Sequence, residues 1–299
     1  MGTGGWAYFK VGNQPSLKEY SQIFDFVEVN YTFYEYPDHR LVEGWRRLVP
    51  ADFSFSVRCH QDLTHKIGLK PTDQAFEVFY KMKAYCEMLE APFLVLETPQ
   101  SQALNKSAIR EAEEFLSAIP LDDLKVVWEY RAPLTTEVTQ LMDDFGIIQC
   151  VDLSYDLPIV NQDVVYSRLF GKGRHNIYQF TDDELVEIEN NAQHNQPKTV
   201  VLSYHGLRMN TDAIRSQQHL LNGKFLPATN SVGFDSAKSV LAEDAHFPSS
   251  KSQLIADQGW KVIDLTPDKR IHLSTVLEAI PEKTYRSLDE VGNELKAVI

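Results

Sequence analysis

The residues best suited to chemistry are acidic and basic side chains that stand near the ends of short apolar segments. In residues 26–34, Glu28 and Asn30 alternate with Val27 and Val29, so polar and apolar side chains face opposite ways if this segment is a strand. The same alternation puts further candidates on one face of five later segments: Arg58, Glu97, Glu129, Arg131, Asp152 and Arg168. Glutamates among arginines suit acid–base catalysis, because neighbouring charges control which carboxyl carries the proton.

The basic members of this set predict a ligand with a negative charge. Arg58, Arg131 and Arg168 are all placed on the same face of their strand-like segments as the acidic candidates. Guanidinium groups bind carboxylate or phosphate through paired hydrogen bonds. The loop 171–174, Gly-Lys-Gly-Arg, adds Lys172 directly after the seventh segment. We therefore predict an anionic small molecule or nucleotide as the ligand, phosphorylated or carboxylated.

The acidic members allow more than one use. Glu28 and Glu129 are the first choices for an acid–base pair, with Glu97 and Asp152 among the ligand-binding residues. No cofactor is predicted, although a divalent metal is possible, because carboxylates and His205 are hard-cation ligand types. Arginines on the same face would repel such a cation. A structural alternative is a ring of ion pairs that braces a barrel without binding anything.

Eight strand-like segments must hold these residues, and most are followed by a helical pattern. The segments are 2–8, 26–32, 53–60, 93–97, 125–131, 147–152, 164–170 and 199–204. This order predicts an α/β fold, a TIM-type (β/α)8 barrel, in which catalytic residues stand at the C-terminal ends of the strands. The connection 153–163 contains a proline and no helical period, so we expect the helix between strands six and seven to be missing.

The chain beyond the barrel has a different composition. The barrel is predicted for residues 1–223, a linker for 224–246, and a small mainly helical domain for 247–299. Capping boxes at Ser16, Thr181 and Ser287 mark three expected helix starts, because each is followed three residues later by glutamate.

The bulk composition is typical of a globular protein and limits the class of partner. The net charge of −13 disfavours a surface for duplex nucleic acid, since neutralisation of phosphates dominates such binding. The three cysteines have no paired spacing, and no apolar run reaches the length of a membrane span. We expect a cytoplasmic protein without a membrane partner. The sequence leaves its oligomeric state open.

Several segments together resemble the YecE-like family, also called domain of unknown function 72. They are GTGGW, VEVNYTFY, FSVRCHQDLTH, LETP, VVWEYR and VYSRLFGKG, which lie in this order between residues 2 and 173. The match covers about residues 2–220. The resemblance implies a TIM-type barrel without an established reaction. It sets these residues at shared positions: Trp6, Glu28, Asn30, Thr32, Tyr34, His65, Glu129, Arg131 and Arg168. We expect Trp6 and Tyr34 to form stacking walls and His65 to belong to the site.

The chain also departs from the family pattern. The family usually has Gln at Glu97, Lys at Arg58, His at Phe170, and an asparagine pair at residues 203–205. The leading hypothesis is a metal-independent acid–base enzyme. Because the barrel is similar in outline to xylose isomerase and endonuclease IV, a metal-dependent isomerase or phosphodiesterase is the second hypothesis. A non-catalytic module that binds a ligand or partner is the third.

Overall fold

The computed structural model describes residues 1–160 and 163–299. The chain folds as two compact units. Unit 1 comprises Met1–Leu169 and Ala192–Tyr204, and unit 2 comprises Phe170–Asn191 and His205–Ile299.

Unit 1 contains a closed barrel of eight parallel strands. The strands are β1 (Gly2–Thr3), β2 (Phe26–Val29), β3 (Ser54–Arg58), β4 (Phe93–Thr98), β5 (Lys125–Tyr130), β6 (Ile148–Val151), β7 (Val164–Leu169) and β8 (Thr199–Tyr204). Each strand pairs with its neighbour in sequence, and β1 closes the sheet by pairing with both β8 and β2. The predicted TIM-type barrel is therefore confirmed.

Helices alternate with these strands along the chain. They are α1 (Leu17–Tyr20), α2 (Tyr31–Tyr34), α3 (His39–Leu48), α4 (Asp73–Leu89), α5 (Lys106–Ala118), α6 (Thr136–Asp144), α7 (Asp182–Ala192) and α8 (Met209–Asn222). The connection from β6 to β7 has no helix within residues 152–160 and 163, as predicted; residues 161–162 lie outside the described part of the chain.

Side-chain caps start several of these helices where the sequence indicates. The Ser16 hydroxyl accepts a hydrogen bond from the backbone of Glu19 at the start of α1. At α7, Thr181 and Glu184 form the reciprocal capping box, since each side chain accepts from the backbone nitrogen of the other.

Two strands are much shorter in the structure than the sequence predicts. The first, predicted for residues 2–8, consists of Gly2–Thr3 alone, so Trp6 lies in the loop that follows it. The second, predicted for 26–32, ends at Val29, and the chain then turns into the four-residue helix α2. Alternation of polar and apolar residues cannot show where a strand gives way to a short helix. Over four residues, the pattern of a strand and that of one helical turn are indistinguishable.

Unit 2 combines α8 with the C-terminal elements. These are α9 (Phe234–Asp244), α10 (Lys251–Gln258), β9 (Val262–Thr266), β10 (Lys269–His272), α11 (Leu273–Leu277) and α12 (Leu288–Leu295). Helix α9 lies inside the stretch 224–246 that was expected to be a linker, and its Ala237, Val240 and Leu241 are buried in the core of this unit. The boundaries predicted for the C-terminal domain remain a prediction.

A chain of buried ion pairs crosses unit 2. Arg215 of α8 contacts Asp212 and Asp182, Arg270 of β10 contacts the same Asp182, and Arg270 also contacts Asp264. Burial raises the pKa of the Asp212 carboxyl to about 7, although Arg215 and a backbone N–H oppose this shift. The native state therefore binds a proton at Asp212 more tightly than the unfolded chain does.

This raised pKa predicts a pH-dependent stability. Because the native state binds the extra proton, the contribution of Asp212 to the free energy of unfolding falls as pH rises from about 4 to about 7. Asp212→Asn removes that dependence, so the melting temperature of the wild type should fall more between pH 5 and pH 8 than that of the variant. Asp268→Asn, which removes the same charge from an exposed site, is the matched control. Parallel curves for all three proteins would contradict the prediction.

No described helix is both long and apolar enough to cross a membrane.

Candidate functional site

The candidate site is one layer of side chains at the C-terminal end of the barrel interior. A lower layer is mostly apolar: Phe26, Phe93, Val95, Val127, Ile148, Cys150, Val164, Tyr166 and Val201. Two residues further along four of the strands stand Glu28, Glu97, Glu129 and Arg168, which the period of two keeps on the same inward face. The sequence reasoning placed these four on one rim. The structure brings all four together.

Arg168 lies at the centre of this layer and contacts three carboxylates. Its Nη2 is 3.1 Å from Glu28 Oε1, its Nη1 is 2.9 Å from Glu97 Oε2, and Nη1 also contacts Glu129 Oε2. Burial alone would lower the pKa of Arg168, but the charges of Glu129, Glu28 and Glu97 raise it well above its ordinary value. Arg168, only 2 % exposed, is therefore a fixed positive charge.

Glu97 is the carboxylate that all three arginines share. Arg58 and Arg168 donate to its Oε2, and Arg131 Nη1 lies 2.9 Å from its Oε1. Burial by itself would raise the pKa of Glu97, but Arg168, Arg58 and Arg131 together hold it below its ordinary value. With Glu28 and Glu129, the layer contains three acidic and three basic side chains.

Glu129 and Arg131 form the accessible edge of the layer. Arg131 Nε donates to Glu129 Oε1 at 2.6 Å, while the other carboxylate oxygen of Glu129 contacts Arg168. The Arg131 side chain is 40 % exposed and that of Glu129 is 12 % exposed. Glu28 is fully buried by comparison. Of the two glutamates predicted as an acid–base pair, Glu129 therefore has some exposure to solvent and Glu28 has none.

Glu28 is held from below by a buried hydroxyl chain. Tyr166 donates its hydroxyl hydrogen to Glu28 Oε2 at 3.0 Å, and Ser56 Oγ lies 2.7 Å from the same tyrosine oxygen. Burial, followed by the charge of Glu28, raises the pKa of Tyr166 well above its ordinary value, so the hydroxyl remains a donor. Tyr166 precedes Arg168 by two positions, so strand alternation already placed it on the same face.

Arg58 has an aromatic contact that the sequence reasoning missed. Its guanidinium carbon is 3.6 Å from the centre of the Phe33 ring, and its Nη1 is 3.3 Å from Asn30 Oδ1. Burial, followed by the charge of Arg168, lowers the pKa of Arg58. Alternation put Phe33 on the face away from the polar residues, but helix α2 turns it back. Asn30, a residue type that often begins a helix, was the only local signal.

The other residues of the predicted second strand are bonded to the backbone around the mouth. Asn30 Nδ2 donates to the Gly4 carbonyl at 2.7 Å. Thr32 Oγ1 lies within hydrogen-bond distance of two carbonyls, those of Val29 at 2.9 Å and Arg58 at 2.7 Å. Neither residue is on the strand as predicted. Asn30 reaches the site through Arg58, whereas Thr32 ties α2 to the end of β3.

The two aromatic residues expected as stacking walls lie in different surroundings. Trp6 packs edge to face against Trp45, with ring centres 5.3 Å apart. Tyr34 is 60 % exposed and contacts Phe33 with ring centres 4.9 Å apart. Phe33, between Arg58 and the neighbouring His65, makes the direct aromatic contacts to the ionisable layer.

His65 lies on a single π-helical turn, Asp62–Ile67, after β3. Its Nδ1 is 2.9 Å from the Thr64 hydroxyl, and its Nε2 is 3.8 Å from Glu97 Oε1. Burial lowers the pKa of His65; Glu97 opposes the shift, and Arg58 and Arg131 add to it. The imidazole is therefore neutral at pH 7.

We expect His65 to titrate below the ordinary histidine value of about 6.5. Arg131→Gln should raise the pKa of His65, because it removes a positive charge that opposes protonation of the ring. Imidazole 1H–15N spectra recorded across pH measure both values. Arg47→Gln, at an exposed arginine of α3 with a partner at Glu43, should leave the titration unchanged. A wild-type midpoint at or above the ordinary value would contradict the expectation.

Two further predicted residues have local contacts of their own. Asp152 follows β6, and its Oδ1 accepts hydrogen bonds from the backbone and the hydroxyl of Ser154 at 2.9 and 2.6 Å. Lys172 belongs to unit 2, where its Nζ lies 3.6 Å from Glu184 Oε1. The structure therefore does not show either residue among the ion pairs around Arg168. Their part in ligand binding remains a prediction.

Comparison with known proteins decides the family. The family described as "Protein of unknown function DUF72" matches residues 1–225, which include all eight strands and every residue of the layer around Arg168. The chain belongs to the DUF72 family. No curated protein matches it.

Solved structures of other DUF72 proteins have the same fold. A DUF72 family protein of Enterococcus faecalis superposes with a TM-score of 0.59 at 15% identity, covering 74% of this chain and 96% of that one. A DUF72 family protein of Thermotoga maritima gives a TM-score of 0.58 at 20% identity, covering 73% and 96%. At these identities the likeness shows the fold alone.

The carboxylates of the site in this DUF72 protein contact arginines and do not converge as the ligands of a metal ion would. In residues 1–160 and 163–299, no three His, Cys, Asp or Glu side chains converge so that they could hold a metal ion. Glu28, Glu97 and Glu129 each contact guanidinium nitrogens instead. A divalent cation would bind these carboxylates only if their ion pairs were broken.

Proposed function

We propose that this DUF72 protein is an enzyme that performs acid–base chemistry on an anionic small molecule at the C-terminal mouth of the barrel. The observation that carries the proposal is the Glu129–Arg131 pair, a carboxylate and a guanidinium at the accessible edge of an otherwise buried charged layer. Catalytic residues of such barrels stand at this end of the strands.

The geometry supports different roles for the two glutamates. Glu129 is the proton-transferring group, because it lies at the edge and has one oxygen fixed by Arg168 and the other on the exposed Arg131. Glu28 is fully buried between Tyr166 and Arg168, so it acts as a positioning group that fixes the Arg168 guanidinium. This assignment narrows the predicted acid–base pair to one member.

The second proton-transferring group is His65. Its side chain is 26 % exposed, its pKa is lowered, and it lies beside the Glu97 oxygen that Arg131 also contacts. A neutral imidazole can accept a proton, and its protonated form can return one. His65 and Glu129 would therefore act on the same bound molecule from the ends of β3 and β5, the two strands that flank β4.

The predicted clamp of three arginines reduces to one accessible group. Arg58 and Arg168 are buried, and their charges are compensated by Glu97, Glu28 and Glu129. Arg131 is the arginine that solvent, and hence a ligand carboxylate or phosphate, can reach. Guanidinium matches the geometry of both anions.

A substrate screen tests the proposal. Purified wild-type protein and the Glu129→Gln variant are incubated with phosphorylated and carboxylated small molecules between pH 5 and 9, and products are followed by mass spectrometry. A compound converted by the wild type but not by an equally stable variant supports the enzyme. If the charged layer only braces the barrel, no compound is converted and the variant loses stability instead.

A further inference from the structure

We propose that the anionic group of the ligand displaces Glu129 and Glu97 from Arg131, and that this exchange turns Glu129 into the proton acceptor. The inference rests on the proposed function of the same mouth and adds how that site is switched on. Arg131 bridges both glutamates, at 2.6 Å to Glu129 Oε1 and 2.9 Å to Glu97 Oε1.

Arg131 differs from the other two arginines of the layer in its position and exposure. It follows β5 by one residue, where its backbone nitrogen donates to the Thr98 carbonyl at 3.1 Å. Its side chain is 40 % exposed, compared with 10 % for Arg58 and 2 % for Arg168. Among these three arginines, Arg131 is therefore the one whose own charge stays in contact with solvent when it exchanges partners.

The exchange is favourable because solvent already weakens the existing pairs of Arg131. Water competes for the exposed Arg131 guanidinium. Its less exposed partners keep other cations, because Glu97 also contacts Arg58 and Arg168, and Glu129 also contacts Arg168. A ligand oxyanion offers the guanidinium the same hydrogen bonds. The pairs of Arg168 resist exchange, because breaking them would leave a buried, uncompensated charge. The ligand thus selects the outer arginine and leaves the inner one in place.

Release from Arg131 changes what Glu129 can do. A nearby opposite charge favours the ionised carboxylate, so losing one of its two guanidinium partners makes Glu129 a stronger base. Its Oε1 is then available to a proton of the bound ligand, while Oε2 stays on Arg168. The proton moves to Oε1, and the electron pair of the broken bond stays on the ligand.

The coupling also gives selectivity for the substrate class. A neutral compound leaves Arg131 on the glutamates, so Glu129 remains a poor base and no reaction follows. An oxyanion, whether carboxylate or phosphate, engages Arg131 and activates the site in one step. The ligand is therefore expected to carry its negative group close to the bond from which the proton is removed.

Nuclear magnetic resonance of the full chain tests this exchange without any turnover. Inorganic phosphate or malonate is added to protein labelled at arginine Nε and glutamate Cδ, with sodium chloride at equal ionic strength as the control. The Arg131 Nε–H resonance, assigned by its loss in Arg131→Gln, should shift with the oxyanion. The Glu129 Cδ resonance, assigned with Glu129→Gln, should shift in the same experiment.

Variants separate the exchange from general salt effects. Arg131→Gln should show the shifted Glu129 resonance without any oxyanion and should not respond to one. Arg47→Gln, at an exposed arginine outside the site, should respond like the wild type. Arg131→Lys should retain an oxyanion response if glutamine at this position disturbs folding.

Two results would overturn the inference. One is an oxyanion that shifts the Arg131 signal while the Glu129 resonance stays unchanged, and the other is a full response in Arg131→Gln. A response to phosphate alone or malonate alone supports the exchange and identifies the anionic group. The proposed function fails separately, if Glu129→Gln still converts the substrate that the screen identifies.

Discussion

Replacing Arg168 with methionine is expected to lower the free energy of unfolding of the barrel at pH 7 by about 3–5 kcal/mol, because removing one partner of a buried ion pair leaves an uncompensated charge. Three carboxylates face this one guanidinium: Glu28, Glu97 and Glu129. Methionine fills a similar volume without carrying a charge. The three carboxylates then repel one another, and Arg58 and Arg131 remain as the positive side chains of the layer.

Urea denaturation followed by tryptophan fluorescence measures this loss. A Trp260→Phe background confines the signal to Trp6, Trp45 and Trp128 of unit 1. The matched control is Arg131→Met, which removes an arginine from the same layer. Because the Arg131 side chain is 40 % exposed and both of its carboxylate partners keep Arg168, its loss should cost less than the loss of Arg168. Equal costs for the two variants would show that burial does not decide the strength of these pairs.

The loss in free energy of unfolding caused by Arg168→Met should also depend on pH. In the wild type the pKa of Glu97 is lowered, so its stabilising contribution is present above its unfolded pKa and is lost as pH falls through the folded value. In the variant, protonation of the crowded carboxylates relieves their repulsion. The gap between the two free energies of unfolding should therefore narrow from pH 7 towards pH 4. A constant gap would indicate lost packing instead of lost charge compensation.

Glu129→Gln is expected to lower turnover of the substrate that the screen identifies by about 10²–10⁴-fold, the usual contribution of a positioned acid–base group. Glutamine keeps the shape of the side chain and can still accept from Arg131, but it cannot accept a proton. Because Arg168 keeps Glu28 and Glu97 as partners, stability should change less than turnover. Steady-state rates and urea midpoints of the same preparations measure both effects.

Glu28→Gln is the matched contrast to that variant. Removing the buried charge weakens the bonds from Arg168 and Tyr166, which should cost about 1.5–3 kcal/mol of stability, the range for hydrogen bonds to charged groups. Turnover per folded molecule should fall less than in Glu129→Gln. If Glu28→Gln loses turnover while Glu129→Gln keeps it, the roles of the two glutamates are the reverse of those proposed.

Much of the fold could be predicted from local patterns. Strand alternation at Glu28, Glu97, Glu129 and Arg168 selected the inward face correctly, because in a parallel barrel every second residue must point to the interior. Helix caps such as Thr181 marked where helices begin, since their hydrogen bonds are made within one turn. The family resemblance over the barrel agrees with these patterns.

The misjudged elements share one cause. Asn30 and Thr32 continue the alternation of β2, yet the strand ends at Val29 because Thr32 bonds to carbonyls of Val29 and of Arg58, 26 residues away. Helix α9 was not expected because the sequence around it is rich in loop formers, and its buried face is completed by the core of unit 2. Tertiary contacts outweigh local preference in both places.

The sequence by itself determined the barrel, the inward parity of its acids and bases, and the absence of a helix in the described part of the β6–β7 connection. Those properties depend on periods of two and 3.6 residues, which the order of side chains states directly. The tertiary structure alone decided which charges meet. It placed Arg168 between three carboxylates, covered Glu28, left Arg131 exposed to solvent and turned Phe33 onto Arg58. Burial and pairing depend on distances between strands that are far apart in the chain, and these distances separate a bracing charge from a reactive one.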